Sequence, residues 1–316
     1  MIKRLKTYWR DHATPALVQT GLKASIKLPS QLPLPLSLLR LGMDQSAALT
    51  FPARDDVELH ETVLLTVPTL RITPRTKVSE TAILFFHGGA FFAGSPRSHQ
   101  ALASEIAVRS HATVFVVDYR RAPEFTYPAA LHDGIAAYRG LLNLGYAPEQ
   151  IMVGGDSAGA THALNLVIDR RDHGDVLPAG IFLLSPFVDL SLSSPSVRSN
   201  ARIDPMLTAQ ALRRGVDSYR GYLQADDPRI SPLFADLAGL PPMLIQAGSN
   251  EILHDDSIKL SDRAAQAGVI VHYHIYQGMW HNFQMFAEYI PAARQALNEI
   301  ARFIRQHLKQ GETVPV

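Results

Sequence analysis

From about residue 57 the chain settles into short apolar runs separated by longer segments of helical spacing. The runs AILFF at 82–86, TVFVV at 113–117, QIMVGG at 150–155, GIFLLS at 180–185, PMLIQAG at 242–248 and VHYHIY at 271–276 predict strands, most of them near-continuously apolar and so buried on both faces. Between several of them, segments 98–110, 129–143, 158–171 and 255–267 predict helices. This alternation is the signature of an α/β chain with a mostly parallel sheet and helices on both faces. VELHETVLLTV and LRITP alternate instead of running continuously, which predicts a pair of strands at the sheet edge. Residues 190–235 carry helix signals and the punctuation IDP and DDPRISP but no good strand, so they predict an insertion over the sheet. The first 50 residues form a leader: an amphipathic helix over Ile2–Trp9, then LPSQLPLPLSLLRL, where Pro29, Pro33 and Pro35 predict no regular element. The expected division is therefore a core of 51–189 and 236–316, with 1–50 and 190–235 packed over it as a cap.

Composition removes several function classes. The chain has 30 Lys plus Arg against 29 Asp plus Glu and no basic stripe beyond MIKRLKTYWR, so nucleic acid is not an expected partner. It has no cysteine, which excludes disulfides, thiolate metal sites and a cysteine nucleophile, and fits a reducing compartment. No secretory signal is read at the N-terminus. The uncharged run Thr81–Pro96 is 16 residues long and contains Gly88 and Gly89, too short and too broken to span a bilayer. A cytoplasmic protein without stable membrane insertion is expected.

The chemistry begins at GGDSAGA, 154–160, which follows an apolar run and opens an alanine-rich helix. Gly155-x-Ser157-x-Gly159 in that setting predicts a nucleophile elbow, a strand-to-helix turn so tight that the serine Oγ stands exposed and the flanking positions have no room for side chains. A serine hydroxyl needs a base. His281 lies in the loop after the last predicted strand, where the order serine, acid, histidine places it. The acid falls in SNEILHDDS, where Glu251, Asp255 and Asp256 compete. Glu251 is nearest the strand end, and the two aspartates precede a helical run as N-cap residues would. HGGA at 87–90 ends an early strand with almost no side chain, leaving backbone N–H groups uncovered, and an acyl-transfer site needs such donors for its oxyanion. Ala158 supplies a further donor as the residue after the nucleophile. His272 and His274 share one strand face and read as a solvated pair, since no third metal ligand accompanies them. Arg120, Arg121 and Glu124 read as ion pairs bracing a loop, and Asp156 as structural. Phe91, Met279 and Trp280 stand close in sequence to the oxyanion loop or to His281 and are expected to line the substrate site.

Together HGGA, DYRRAPEFTYPAALHD at 118–133, GDSAG and the final acid and histidine resemble the hormone-sensitive-lipase-like family of α/β hydrolases, in order from about 82 to 283. The resemblance implies the α/β-hydrolase fold with a helical cap, Ser157 and His281 as nucleophile and base, and amides of Gly88, Gly89 or Ala90 joining Ala158 in the oxyanion hole. The family's acid lies about 30 positions before its histidine, which falls on Glu251. Three departures stand out. Ala90 replaces a usual third glycine, which is tolerable if that residue keeps a negative φ but could narrow the acyl side; the acid is more often aspartate, which keeps Asp255 in view; and Asn282 follows the histidine where glycine is usual.

The expected activity is a serine carboxylesterase that hydrolyses short- to medium-chain esters through an acyl-enzyme, with a small-molecule ester as its partner and no metal or organic cofactor. Lipase and lactone-hydrolase activity use the same triad, and MIKRLKTYW could serve a lipase as an interfacial helix. A non-catalytic binding protein is the alternative from another class, since the plant gibberellin receptor resembles this family but has lost the final histidine. An edge strand near the C-terminal end of such sheets could pair across a homodimer.

Overall fold

The computed structural model describes residues 14–32, 34–76 and 79–308. Its sheet has eight strands: β1 (Val57–Leu64), β2 (Val67–Pro74), β3 (Ala82–Phe86), β4 (Thr113–Val117), β5 (Ile151–Asp156), β6 (Gly180–Leu184), β7 (Met243–Gly248) and β8 (Val271–Tyr276). They lie in the order β1-β2-β4-β3-β5-β6-β7-β8. β1 pairs antiparallel with β2 and β2 with β4, and every later pairing is parallel. The strands from β3 to β7 are buried along their whole length, as their unbroken apolar runs require.

The longer helices are α1 (Pro15–Leu22), α2 (Leu36–Thr50), α3 (Pro96–Ser110), α4 (Ala129–Asn143), α5 (Ala158–Asp172), α6 (Ala209–Tyr219), α7 (His254–Gln266) and α8 (Pro291–His307). α4, α5 and α7 cover one face of the sheet, where Leu141, Leu164 and Leu260 pack with Leu84, Val153 and Ile245. α3 and α8 cover the other, with Ile106, Leu297 and Ile300 against Ile83, Val114 and Leu244. α8 adds a helix beyond those expected. A third apolar cluster joins Phe91 and Ala158 to Phe187, Leu212, Val216 and Tyr219, packing the 190–235 segment onto the elbow and the loop after β3.

The leader departs from expectation. α1 continues through a π-helical turn, Lys23–Lys27, into the helical Leu28–Ser30, and α2 starts directly after Pro35. Proline removes a backbone donor only where a helix interior would use it, so Pro29 in the first turn and Pro35 at the N-cap both permit the helices they open. The helix expected over Ile2–Trp9 lies outside the described residues. The 190–235 segment holds α6 and the short helix Ser196–Ser199, and no strand among the described residues.

Candidate active site

β5 ends at Asp156 and α5 begins at Ala158, with Ser157 alone forming the turn at φ 54°, ψ −122°. An L-residue held there stores on the order of 1–3 kcal/mol of backbone strain. The sequence allows it because a Cβ at position 155 would overlap the Gly159 carbonyl, and one at 159 would overlap the carbonyls of Phe86 and His87. Glycine at both places lets the first turn of α5 press against β3 and β5.

His281 follows β8 in a loop and is buried, with 3% of its side chain exposed. Its Nδ1–H donates to Glu251 Oε2 at 2.8 Å, which fixes the tautomer and leaves the Nε2 lone pair free to accept a proton. Burial opposes a charge on this ring, but the hydrogen bond and charge of Glu251, with smaller help from Asp204 and Asp156, hold its pKa above the ordinary imidazole value. Glu251 is itself held: Oε1 accepts the N–H of Gly248 at 2.6 Å and the hydroxyl of Ser185 at 3.0 Å. Asp255 and Asp256 are used elsewhere. Asp255 accepts the N–H of Ser196, and Asp256 accepts the N–H groups of Val188 and Asp189 and the Ser194 hydroxyl, so both tie the 190–235 segment down. Burial pushes the Asp256 carboxyl up to about 7.

The HGGA loop turns back on itself through Gly89 at φ 131°, Ala90 at 49° and Phe91 at 69°. Ala90 therefore does not keep the negative φ at which alanine replaces glycine without strain; it takes the left-handed conformation that a glycine would take at less cost. The N–H of Gly88 donates to Asp156 Oδ1 at 3.0 Å, so this member of the expected donor set is already engaged. Among the described residues the N–H groups of Gly89, Ala90 and Ala158 have no acceptor. The Gly88 position abuts Ser157, since a Cβ there would lie 3.1 Å from the Ser157 Cβ. His87 is buried and stacked on Tyr119 at 4.3 Å between ring centroids, not at the surface.

Phe91 is buried against Tyr219, ring centroids 4.3 Å apart and nearly parallel at 6°, beside Ala158 in the third apolar cluster. Trp280 does not fit its expected role: it has no exposed surface and packs edge-on to Phe286 in the α3/α8 core. Met279 belongs to the same core cluster, and its carbonyl accepts the Asn250 N–H. Side chains alternate along an extended segment, so nearness to His281 in sequence does not aim a neighbour at the same space. The loop arginines do pair, and within their own motif: Arg120 with Asp133 and Arg121 with Asp118, while Glu124 reaches outside it to Arg40 of α2. His272 is partly covered by Phe303, while His274 stands half exposed. Among the described residues no three metal-ligating side chains converge.

Sequence proximity missed two contributors. Ser185 receives the Asn282 N–H at 3.1 Å while donating to Glu251, and Asp204 receives the Ile252 N–H beside the acid. Neither lies in a motif that announces it.

The family model described as the alpha/beta hydrolase fold matches residues 83–285. An esterase of Acinetobacter venetianus is 43% identical over 94% of this chain and 96% of its own length. An acetyl-hydrolase of Streptomyces hygroscopicus is 37% identical over 72% of this chain and 77% of its own. The crystal structure of a hormone-sensitive lipase from a metagenome library superposes with a TM-score of 0.90 at 38% identity, covering 94% of this chain and 99% of that one. An esterase of the bacterial hormone-sensitive lipase family superposes at 0.88 with 33% identity, covering 92% and 98%. The chain thus belongs to the hormone-sensitive-lipase-like family of α/β-hydrolase carboxylesterases.

Proposed function

We propose that this carboxylesterase works through Ser157 as nucleophile, His281 as base and Glu251 as the acid that orients it. The observation carrying the reading is the 2.8 Å bond from His281 Nδ1 to a doubly anchored Glu251, on a loop joined to the elbow. Nε2 takes the hydroxyl proton as Ser157 Oγ attacks the ester carbonyl. The oxyanion that forms is held by the N–H groups of Gly89, Ala90 and Ala158, each contributing on the order of 3 kcal/mol to the transition state. The imidazolium returns the proton to the leaving alkoxide, and the alcohol departs. Water then attacks the acyl-enzyme with His281 again as base, releasing the carboxylic acid and restoring the serine.

Short to medium acyl groups are the proposed substrates, because Phe91, Phe187 and Tyr219 already fill the space beside Ala158, and relatives bear the name acetyl-hydrolase. The segments 14–50 and 190–235 act as the cap. Ser157→Ala should abolish hydrolysis of p-nitrophenyl acetate with an unchanged circular dichroism spectrum; undiminished turnover would overturn the mechanism.

A second reading, action at a lipid surface, has one observation in its favour: Leu17, Ile26, Leu28, Leu32, Leu38 and Leu41 are all exposed on the 14–50 segment. Comparing soluble short-chain with emulsified long-chain esters separates the two. No helix among the described residues is long and apolar enough to cross a membrane. A cytoplasmic location, which cell fractionation would test, and a homodimer through the outer edge of β8, which light scattering would test, complete the proposal.

A further inference from the structure

Asp156 and Asn282 are not catalytic groups, yet each is one residue from a catalytic candidate: Asp156 directly precedes Ser157, and Asn282 directly follows His281. Their side chains meet, with Asn282 Nδ2 donating to Asp156 Oδ2 at 2.5 Å. The other oxygen of the same carboxylate accepts the Gly88 N–H at 3.0 Å, and His99 Nε2 lies 3.3 Å from Oδ2. One fully buried carboxylate therefore touches the elbow, the oxyanion loop and the base loop. Asn282 is fixed from the far side as well, where its N–H donates to Ser185 Oγ and Ser185 donates to Glu251. Its backbone is left-handed, φ 53° and ψ 35°, a conformation asparagine tolerates better than other residues with side chains, glycine excepted.

We infer that Asn282 and Asp156 are a positioning pair: their hydrogen bond ties the backbone of the base to the backbone of the nucleophile, and through Gly88 sets both in register with the oxyanion loop. Glycine at 282 would satisfy the backbone conformation equally well, but it could not reach Asp156. A carboxylate buried this deeply costs several kcal/mol to desolvate unless donors surround it. The oxyanion loop supplies the Gly88 N–H, the base loop the Asn282 amide and α3 the neighbouring His99 ring, so moving any one of them leaves the charge under-satisfied. The geometry of proton transfer from Ser157 to His281 is sensitive to displacements of about 1 Å, which can cost on the order of 100-fold in rate.

The inference rests on the roles proposed for Ser157 and His281, and the test separates the two. Asn282→Gly removes the tie while keeping the left-handed backbone. It is expected to lower kcat on a p-nitrophenyl ester by about 10- to 100-fold, to leave KM within about threefold, and to keep a cooperative thermal transition. Asn282→Asp keeps the shape but opposes two carboxylates, so it should lose at least as much. In a double-mutant cycle, Asp156→Asn combined with Asn282→Gly should be no slower than Asp156→Asn alone, because the shared contact is already broken. Full kcat in folded Asn282→Gly, or losses that multiply in the cycle, would overturn the positioning pair. Activity in Ser157→Ala would instead overturn the reading on which it rests.

Discussion

On the proposed mechanism the imidazole of His281 must be neutral to accept the Ser157 proton, so its pKa sets the acid limb of the pH profile. Burial alone would push that pKa down; Glu251, with Asp204 and Asp156, raises it on balance. A raised pKa keeps the ring protonated to higher pH. The midpoint of the acid limb of kcat/KM should therefore lie above the ordinary imidazole value of about 6.5. In Glu251→Gln the largest raising influence is gone, so the midpoint should move to lower pH while the plateau falls by about 10³- to 10⁴-fold, as expected when the tautomer is no longer held. An unmoved midpoint in that variant would contradict the assignment. Asp255→Asn makes the opposite control. It weakens one hydrogen bond, to Ser196 N, worth about 1 kcal/mol, and should lower the melting temperature by a few degrees with turnover within about threefold of wild type.

At the scale of elements, α6 presses on the oxyanion loop. A Cβ at Gly215 would overlap the Ala90 carbonyl oxygen and lie 3.1 Å from its Cβ. Glycine within a helix normally costs about 1 kcal/mol against alanine, so on propensity alone Gly215→Ala would stabilise the protein. Here the added methyl meets backbone on a strained loop, and the expected result is the reverse: a loss of about 1–3 kcal/mol, read by urea titration, with at least a tenfold fall in kcat as the Ala90 amide shifts. That contact also marks the limit of what the sequence could reveal. β3 and β4 fall on the apolar runs that predicted them, because a strand buried on both faces is written as one unbroken apolar run. The elbow and the Glu251–His281 pair were legible for a related reason, since each follows a strand whose end is visible. α2 was hidden by Pro33 and Pro35, whose effect depends on where the helix begins. α8 was legible in principle, as Ala293, Ala296, Leu297, Ile300 and Ile304 repeat at helical spacing on one buried face. Trp280 and the commitment of the Gly88 amide were not, because both depend on which way a loop turns in three dimensions.

Across the whole molecule, the 14–50 segment is joined to the base loop, the 190–235 segment and the oxyanion loop by a few polar bonds. Gln19 donates to the Gly278 carbonyl below the His281 loop, Lys27 to the carbonyls of Ala201 and Asp204, and the Leu34 carbonyl accepts from Arg214 of α6. Arg40 makes the densest contact, donating to the Phe92 carbonyl of the oxyanion loop at 2.6 Å, to Ala122, and through both terminal nitrogens to Glu124. These bonds hold a segment to the core without being part of the core. Arg40→Ala should therefore loosen the segment locally, speeding proteolytic cleavage within 14–50 by about tenfold, a difference of about 1.4 kcal/mol in local opening, with only a small change in global melting. The pH dependence has a definite sign. The Arg40 hydrogen bond is the main reason the Glu124 carboxyl is lowered to about 2. A depressed acid pKa stabilises the folded state above the unfolded value of 4.5 and loses that contribution as pH falls through the folded one. Wild type should then stay latched at pH 5, and its advantage over Arg40→Ala should shrink between about 4.5 and 2. Because Glu124 is half exposed, about 1 M salt should remove the ionic part of the difference and leave the part owed to the two carbonyl bonds. Equal cleavage rates for the two proteins at neutral pH and low salt would show that the segment is held by its apolar contacts and not by this arginine.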